Sequence, residues 1–122
     1  MSSDKITLLQ GHKYINLETY KRNGTPVQTP VWFVIDNEQI FVMTTENTGK
    51  VKRIKNNPNV RIMPCGMRGE PKGDWIQAVA RFADNSEAEK AATLRNKKYG
   101  FRAKLVGMFI KKDKPVVLAI QV

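Results

Sequence analysis

The stretch Thr44–Val60, TTENTGKVKRIKNNPNV, holds the residue types of this chain that are best suited to bind an anion. Thr48 is a favourable N-cap, so a helix is predicted to begin near Gly49 and to end at the Asn-Pro pair that follows it. The first N–H groups of a helix lack intrahelical partners, and the helix dipole is positive at that end. The sequence therefore predicts an anion site there, with a solvated basic face as the alternative. Three cations share this end: Lys50, Lys52 and Arg53.

The composition is that of one globular domain, residues 1–122, with a strongly basic surface. The formal net charge is +10 and 41% of the residues are hydrophobic. Such a charge implies a polyanionic partner, which is a nucleic acid, an anionic cofactor or a phosphorylated substrate. The cations are spread along the chain instead of being grouped with aromatic residues in one recognition element, so nucleic acid is the less favoured partner.

Several classes of chemistry are disfavoured by what the chain contains. Cys65 is the single cysteine and His12 the single histidine, so we expect neither an internal disulfide nor a metal site. No nucleophile motif and no spaced acid–base pair occurs, so we expect no catalytic side chain. An export signal and a membrane-spanning apolar run are also missing, which favours a cytoplasmic protein without membrane contact.

The first elements predicted around this site form a hairpin. Apolar residues alternate over Tyr14–Lys21, and a second strand is predicted over Thr25–Ile35. The Asn-Gly pair at 23–24 predicts a type I′ turn between them, in which both central residues have positive φ. Pro26 and Pro30 each remove a ladder donor, so the second strand is expected at a sheet edge, at a bulge or beneath a flat ligand.

The remaining pattern completes a mainly β fold. Antiparallel strands with short helices between them predict a small barrel. A small barrel fills its interior with side chains, so a ligand is expected outside it or at a subunit interface. The other predicted elements are a helix over Asp4–Gln10, a turn at Asp36–Glu38, strands over Gln39–Thr45, Asn59–Met63 and Trp75–Phe82, a helix opened by a capping box at Ser86–Glu89 and ended by Gly100, and a hairpin of Leu105–Ile110 and Val116–Val122 turning at Lys112-Asp113.

The order of these motifs resembles the pyridoxamine 5′-phosphate oxidase-like flavoproteins with the FMN-binding split-barrel fold. The similarity rests on TYKRNGTPVQTPVWFV, FVMTT, TGKVKRIKNNPNVRI, GDWIQAVARF and KKYGFR, and it covers nearly the whole chain. Within that superfamily the chain is most similar to the branch of coenzyme F-420-dependent oxidoreductases. The resemblance implies a split β-barrel of about six antiparallel strands and a homodimer, with FMN or the deazaflavin F-420 in a groove between the subunits.

The resemblance also implies roles for particular residues. Lys50 would hold the cofactor phosphate, helped by Thr48, by the backbone of Gly49 and by Lys52 or Arg53. The other implied contacts are Pro30, Val31 and Trp32 along the tricyclic ring, Thr44 and Thr45 at the ring edge or ribityl chain, Trp75 and Gln77 from the partner subunit, and Lys55 or Arg61 on the polyglutamyl tail of F-420.

By this resemblance the chain is expected to be a flavin- or deazaflavin-dependent oxidoreductase that transfers hydride to a small substrate. True pyridoxamine phosphate oxidases continue into an arginine-containing segment that binds the substrate phosphate, whereas Val122 ends a plain strand, so that particular activity is not expected. Two alternatives stay open: a non-catalytic flavin carrier or sensor, and a basic nucleic-acid-binding barrel. The residues do not decide between FMN and F-420.

Overall fold

A computed structural model describes residues 2–100 and 114–122 of the chain. The predicted strand Leu105–Ile110 and the turn at Lys112-Asp113 lie outside these residues. Within them, no helix is both long enough and apolar enough to cross a bilayer. The elements are α1 (Ser2–Thr7), β1 (Tyr14–Tyr20), β2 (Pro26–Trp32), β3 (Val34–Asp36), β4 (Gln39–Thr45), α2 (Gly49–Asn56), β5 (Asn59–Cys65), β6 (Ile76–Phe82), α3 (Asn85–Tyr99) and β7 (Pro115–Gln121).

The strands form one antiparallel sheet in the order β2-β1-β5-β6-β7-β4-β3. β2 and β3 follow each other in the chain yet lie at opposite edges of the sheet, so the sheet curls back on itself. The mainly β split-barrel fold predicted from the sequence is thereby confirmed. Pro26 and Pro30 lie in the edge strand β2, as two missing ladder donors require.

The predicted strand Thr25–Ile35 is divided into β2 and β3 at Phe33. The backbone N–H of Phe33 donates to the Tyr99 hydroxyl (3.0 Å), and its carbonyl accepts from Lys98 Nζ (2.9 Å). Because side chains of α3 take up both backbone groups, Phe33 leaves the ladder and the chain turns from one sheet edge to the other.

Two apolar cores lie on opposite faces of the sheet. The first fills the inside of the curl and takes side chains from β1, β4, β5, β6 and β7, with Ile6 of α1 and Ile54 of α2. Ala78 and Ala80 give β6 a face of small residues that is buried in this core. The second core lies between α3 and the outer face of β3, β4 and β7, around Ala91 and Phe41.

The turn between β1 and β2 is not the predicted type I′ turn. Only Gly24 of the Asn-Gly pair has positive φ (87°), and its N–H donates to the Lys21 carbonyl (2.8 Å). The register pairs Tyr20 with Pro26, which leaves five residues between the paired ends instead of two. The two consecutive positive φ values occur between β3 and β4, at Asn37 (51°) and Glu38 (61°).

The helices begin and end close to the predicted positions. α2 begins at Gly49 and its C-cap is Asn57, as expected. Gly100 ends α3 with a positive φ of 57°. The capping box of α3, however, is formed by Asp84 and Glu87 instead of Ser86 and Glu89, so the helix begins at Asn85. α1 covers Ser2–Thr7 and not Asp4–Gln10, and β5 continues to Cys65 because Cys65 pairs with Tyr14 of β1.

Candidate functional site

Strand β4 ends in two buried threonines, Thr44 and Thr45, shortly before the N-terminus of α2. The Thr48 hydroxyl donates to the Thr45 carbonyl (3.0 Å) and lies 3.3 Å from Thr44 Oγ1. Thr48 holds the N-cap position with extended backbone, but its side chain makes no cap hydrogen bond. The prediction gave the correct N-cap residue, but the Thr48 hydroxyl does not cap the helix because it bonds the end of β4 instead. The helix N–H groups are left to other acceptors.

Arg53 lies across this end of the helix. Its Nε donates to Thr19 Oγ1 of β1 (2.6 Å), which fixes the guanidinium group. A Cβ atom added to Gly49 would come within 2.6 Å of Arg53 Nη1, so the missing side chain of Gly49 makes room for the cation. Of the two predicted helpers, Arg53 is therefore the one at the N-terminus, whereas Lys52 is exposed on the next turn.

Lys50 is the second cation at the start of α2, and it is half-buried. Burial lowers the pKa of Lys50, and the nearby charge of Arg53 lowers it further. The first turn of α2 contains no acidic residue that would offset either charge. Two partly buried cations at the positive end of a helix are unfavourable unless an anion lies between them. The two cations and the helix N–H groups that lack a side-chain cap fit a phosphate group.

The residues expected along a flat ring lie further along β2. Trp32 stacks on Tyr99 with 4.2 Å between ring centroids and an angle of 7°, so one face of its indole is covered. Val31 is partly buried and packs against the inner core, whereas Pro30 is exposed. Thr19, which bonds Arg53, pairs with Val27 of β2. Trp32 lies five residues beyond Val27, which is roughly 16–17 Å further along the strand.

Arg61 is not a free cation. Its Nε and Nη2 donate to the two carboxylate oxygens of Glu18 (2.8 and 3.1 Å), and its guanidinium lies 4.6 Å from the Trp75 ring centroid. Tyr20 Oη and Gln28 Nε2 donate to the same carboxylate (2.8 and 3.0 Å). The Arg61 hydrogen bond is the main cause that lowers the Glu18 pKa. Because Glu18 balances its charge, Arg61 is a poor candidate for the polyglutamyl tail.

The other residues assigned by the resemblance are scattered. Gln77 pairs with Arg61 and is exposed on the outer face of β6. Lys55 is exposed, with Nζ 6.0 Å from the Phe82 ring centroid. The structure thus brings Thr44, Thr45, Thr48, Gly49, Lys50 and Arg53 together, and it places Pro30 and Trp32, and separately Trp75 and Gln77, away from that corner.

Sequence reasoning missed a small cavity of about 50 Å³ beside Trp32. Lys98 and Tyr99 lie next to it, and they belong to the motif KKYGFR, which was given no role of its own. Burial lowers the pKa of Lys98 to about 8, and its Nζ lies 3.6 Å from the Phe33 ring centroid. The cavity is lined by Trp32, Phe33, Val34, Phe41, Met43, Arg95 and Tyr99.

A curled antiparallel sheet with short helices at its rim is the architecture of a split barrel, and here one helix N-terminus of that barrel is cationic. The chain belongs to the pyridoxamine 5′-phosphate oxidase family, because the family model of that description matches residues 6–122. General stress protein 26 of Bacillus subtilis (strain 168) is 30% identical over 117 residues, which cover 96% of this chain and 79% of that protein.

Solved structures agree with the fold. The heme storage protein HutZ of Vibrio cholerae superposes with a TM-score of 0.73 and 21% identity, over 98% of this chain and 87% of that one. General stress protein 26 of Bacillus anthracis str. Sterne gives a TM-score of 0.65 and 20% identity, over the same shares of the two chains, 98% and 87%. At such identities the similarity establishes the fold alone.

Proposed function

We propose that this protein is a flavin- or deazaflavin-dependent oxidoreductase that binds FMN or coenzyme F-420 and acts on a small substrate. The observation that carries the proposal is the pair of partly buried cations, Lys50 and Arg53, at the N-terminus of α2, which has no side-chain cap. A phosphate there would meet backbone N–H donors, the positive helix end and two side-chain charges at once. Membership of the pyridoxamine 5′-phosphate oxidase family supports the same choice.

In this proposal each element has a defined task. The corner of α2 holds the phosphate, and Thr44 and Thr45, which both contact Thr48, are assigned to the sugar-alcohol chain. The outer face of β2 presents Pro30 and the open face of Trp32 to the ring. Trp75 and Gln77 of a second copy would close the site in a homodimer. The bound cofactor supplies hydride transfer, while the chain binds it, orients it and shields it from water.

A second candidate is cofactor binding without turnover, as in a carrier or a store. This candidate is supported by the fold that the chain shares with the heme storage protein HutZ of Vibrio cholerae. The discriminating experiment is reoxidation of the reduced, protein-bound cofactor by candidate acceptors. Reoxidation faster than for free cofactor supports the enzyme, and an equal or slower rate supports the carrier. A titration with haem in the same format tests the storage alternative.

The direct test of the site is Lys50→Ala in cofactor-stripped protein, titrated with FMN and with F-420 by calorimetry. If Lys50 makes a charge-assisted bond to the phosphate, the binding free energy should weaken by about 1.5–3 kcal/mol. Thermal stability without cofactor should be nearly unchanged, because the substitution also removes a desolvated charge.

Lys97→Ala is the matched control, since Lys97 is an exposed lysine of α3 far along the chain from the corner. It should bind both cofactors as the wild type does. Equal affinity of Lys50→Ala and wild type would exclude Lys50 from the site, and failure of the wild type to bind either cofactor would refute the proposed function.

A further inference from the structure

We propose that the cleft between the β1–β2 turn and α2 is a second anion subsite, which takes an anionic extension of the cofactor beyond its first phosphate. This inference rests on the proposed function and extends it to Lys21 and Arg22, which the sequence analysis gave no role. The cleft has a volume of about 240 Å³ and is lined by Tyr20, Lys21, Arg22, Lys52, Arg53 and Asn56.

The local fold places cations on both walls of this cleft. Gly24 adopts a positive φ, and the Lys21 N–H donates to the Thr25 carbonyl (2.9 Å), so the five-residue turn presents Lys21 and Arg22 at its exposed start. On the opposite wall Lys52 is exposed one turn after the start of α2. Residues four apart share one face of a helix, so Lys52 and Asn56 line the cleft together.

The charge of the cleft is not balanced within the part of the chain that the structure describes. The ion pairs there join Arg61 to Glu18, Arg81 to Glu87 and Lys90 to Asp36, and none of them includes a cation of the cleft. The Glu18 carboxylate accepts a hydrogen bond from Tyr20, which lines the cleft, but Glu18 is buried and already bonded to Arg61.

Four cations around one opening repel one another, and an anion between them relieves that repulsion. The volume is also several times the roughly 30 Å³ that one water occupies in the liquid, so the cleft has room for a polyatomic group. A carboxylate or a phosphate fits both the charge and the space.

Arg53 joins the cleft to the phosphate corner. Its Nε is fixed by Thr19, its Nη1 lies above Gly49, and the same side chain lines the cleft. A group attached to a phosphate at the N-terminus of α2 would therefore pass Arg53 and enter the cleft. FMN, with one phosphate, would fill the corner alone. A second phosphate, as in FAD, or a chain of carboxylates, as in oligoglutamyl F-420, would fill both.

The test compares the affinities of three probes, FMN, FAD and oligoglutamyl F-420, for cofactor-stripped wild type and for Lys21→Gln/Arg22→Gln. At low salt, where charges are least screened, at least one extended probe should bind wild type about tenfold or more tightly than FMN does. The double variant should reduce that advantage to about threefold or less and change FMN affinity by less than about threefold, because it leaves the corner intact. An advantage of FAD alone identifies a second phosphate, and an advantage of F-420 alone identifies carboxylates.

The matched control is Lys5→Gln/Lys97→Gln, which removes two exposed positive charges elsewhere and should keep the full advantage. The subsite would be overturned if all three probes bound wild type with equal affinity. It would also be overturned if both double variants lost the affinity advantage of the extended probe to the same extent. Either result would leave the Lys50 corner in place. Absence of binding by all probes would overturn the subsite and the proposed function together. If the Lys21→Gln/Arg22→Gln protein lost affinity for a generic oligonucleotide but not for the three probes, the cleft would be reassigned to nucleic acid.

Discussion

At the scale of single residues, Tyr99 fixes the bend at Phe33, where the chain passes from one edge of the sheet to the other. Its hydroxyl accepts from the Phe33 N–H (3.0 Å) and lies 2.9 Å from the Phe33 carbonyl and 2.7 Å from the Lys13 carbonyl. A hydroxyl has one proton, so it donates to one carbonyl at a time. Burial raises the pKa of Tyr99 to about 12, which keeps that proton in place at neutral pH. Its ring also supports Trp32, so one residue connects the fold to the proposed ring site.

Tyr99→Phe should lower the free energy of unfolding by about 1–3 kcal/mol, because the partly buried N–H of Phe33 loses its acceptor. The ring stack with Trp32 can remain. Urea denaturation followed by tryptophan fluorescence measures the change. Tyr99→Leu removes the ring as well and should cost more than Tyr99→Phe. If Tyr99→Phe had the same free energy of unfolding as wild type, the hydroxyl would contribute nothing to the stability of the bend at Phe33.

At the scale of elements, α2 and β4 were predicted well because their determinants are local. The Thr-Gly start and the Asn-Pro stop act on the neighbouring residues of the chain, and the cations at the start of α2 come from the same few positions. The cluster of Glu18 and Arg61 could not be predicted, because it depends on the register that pairs β1 with β5. The cleft beside Arg22 likewise depends on how the first turn meets α2.

The start of α3 shows how tertiary contacts select between two equivalent local patterns. Asp84 and Glu87 form a capping box, and Ser86 and Glu89 have the same spacing two residues later. The Glu87 carboxylate also accepts from both terminal nitrogens of Arg81 on β6 (2.8 and 2.6 Å). This contact with the sheet supports the earlier box, which agrees with a helix that begins at Asn85.

This contact gives α3 a pH-dependent contribution to stability. The hydrogen bond from Arg81 lowers the Glu87 pKa to about 2, helped by the Asp84 N–H. The folded pKa lies below the unfolded value of 4.5, so the contribution is full above pH 4.5 and is lost as the pH falls towards about 2. Glu87→Gln should therefore melt below wild type at pH 7, and the two melting temperatures should converge near pH 2.

Melting curves followed by circular dichroism measure this difference. Glu89→Gln is the control, because Glu89 is exposed on the same helix and lies outside the observed capping box. A melting-temperature difference for Glu87→Gln that stays the same from pH 7 to pH 2 would show that the charge of Glu87 is not what stabilises the start of α3.

At the scale of the whole molecule, the curled sheet assigns its two faces to different tasks. The inside is filled by apolar side chains of the strands and both short helices, and the small residues Ala78 and Ala80 allow the opposite strands to approach. The outer face carries α3, the Glu18–Arg61 cluster and the exposed side chains of β2 and β6. The filled interior therefore agrees with the proposed cofactor site at the rim and on the outer face.

Ala80→Leu tests this division. Ala80 is 3% exposed in the inner core, and added methylene groups there should lower the free energy of unfolding by about 1–3 kcal/mol. Val79 is the next residue along β6 and 51% exposed, so Val79→Leu should stay within about 0.5 kcal/mol of wild type. Denaturant titrations measure both. Because the proposed site lies outside the barrel, the folded fraction of Ala80→Leu should keep wild-type cofactor affinity. A loss of affinity in step with the loss of stability would instead mean that the cofactor reaches into the interior of the barrel.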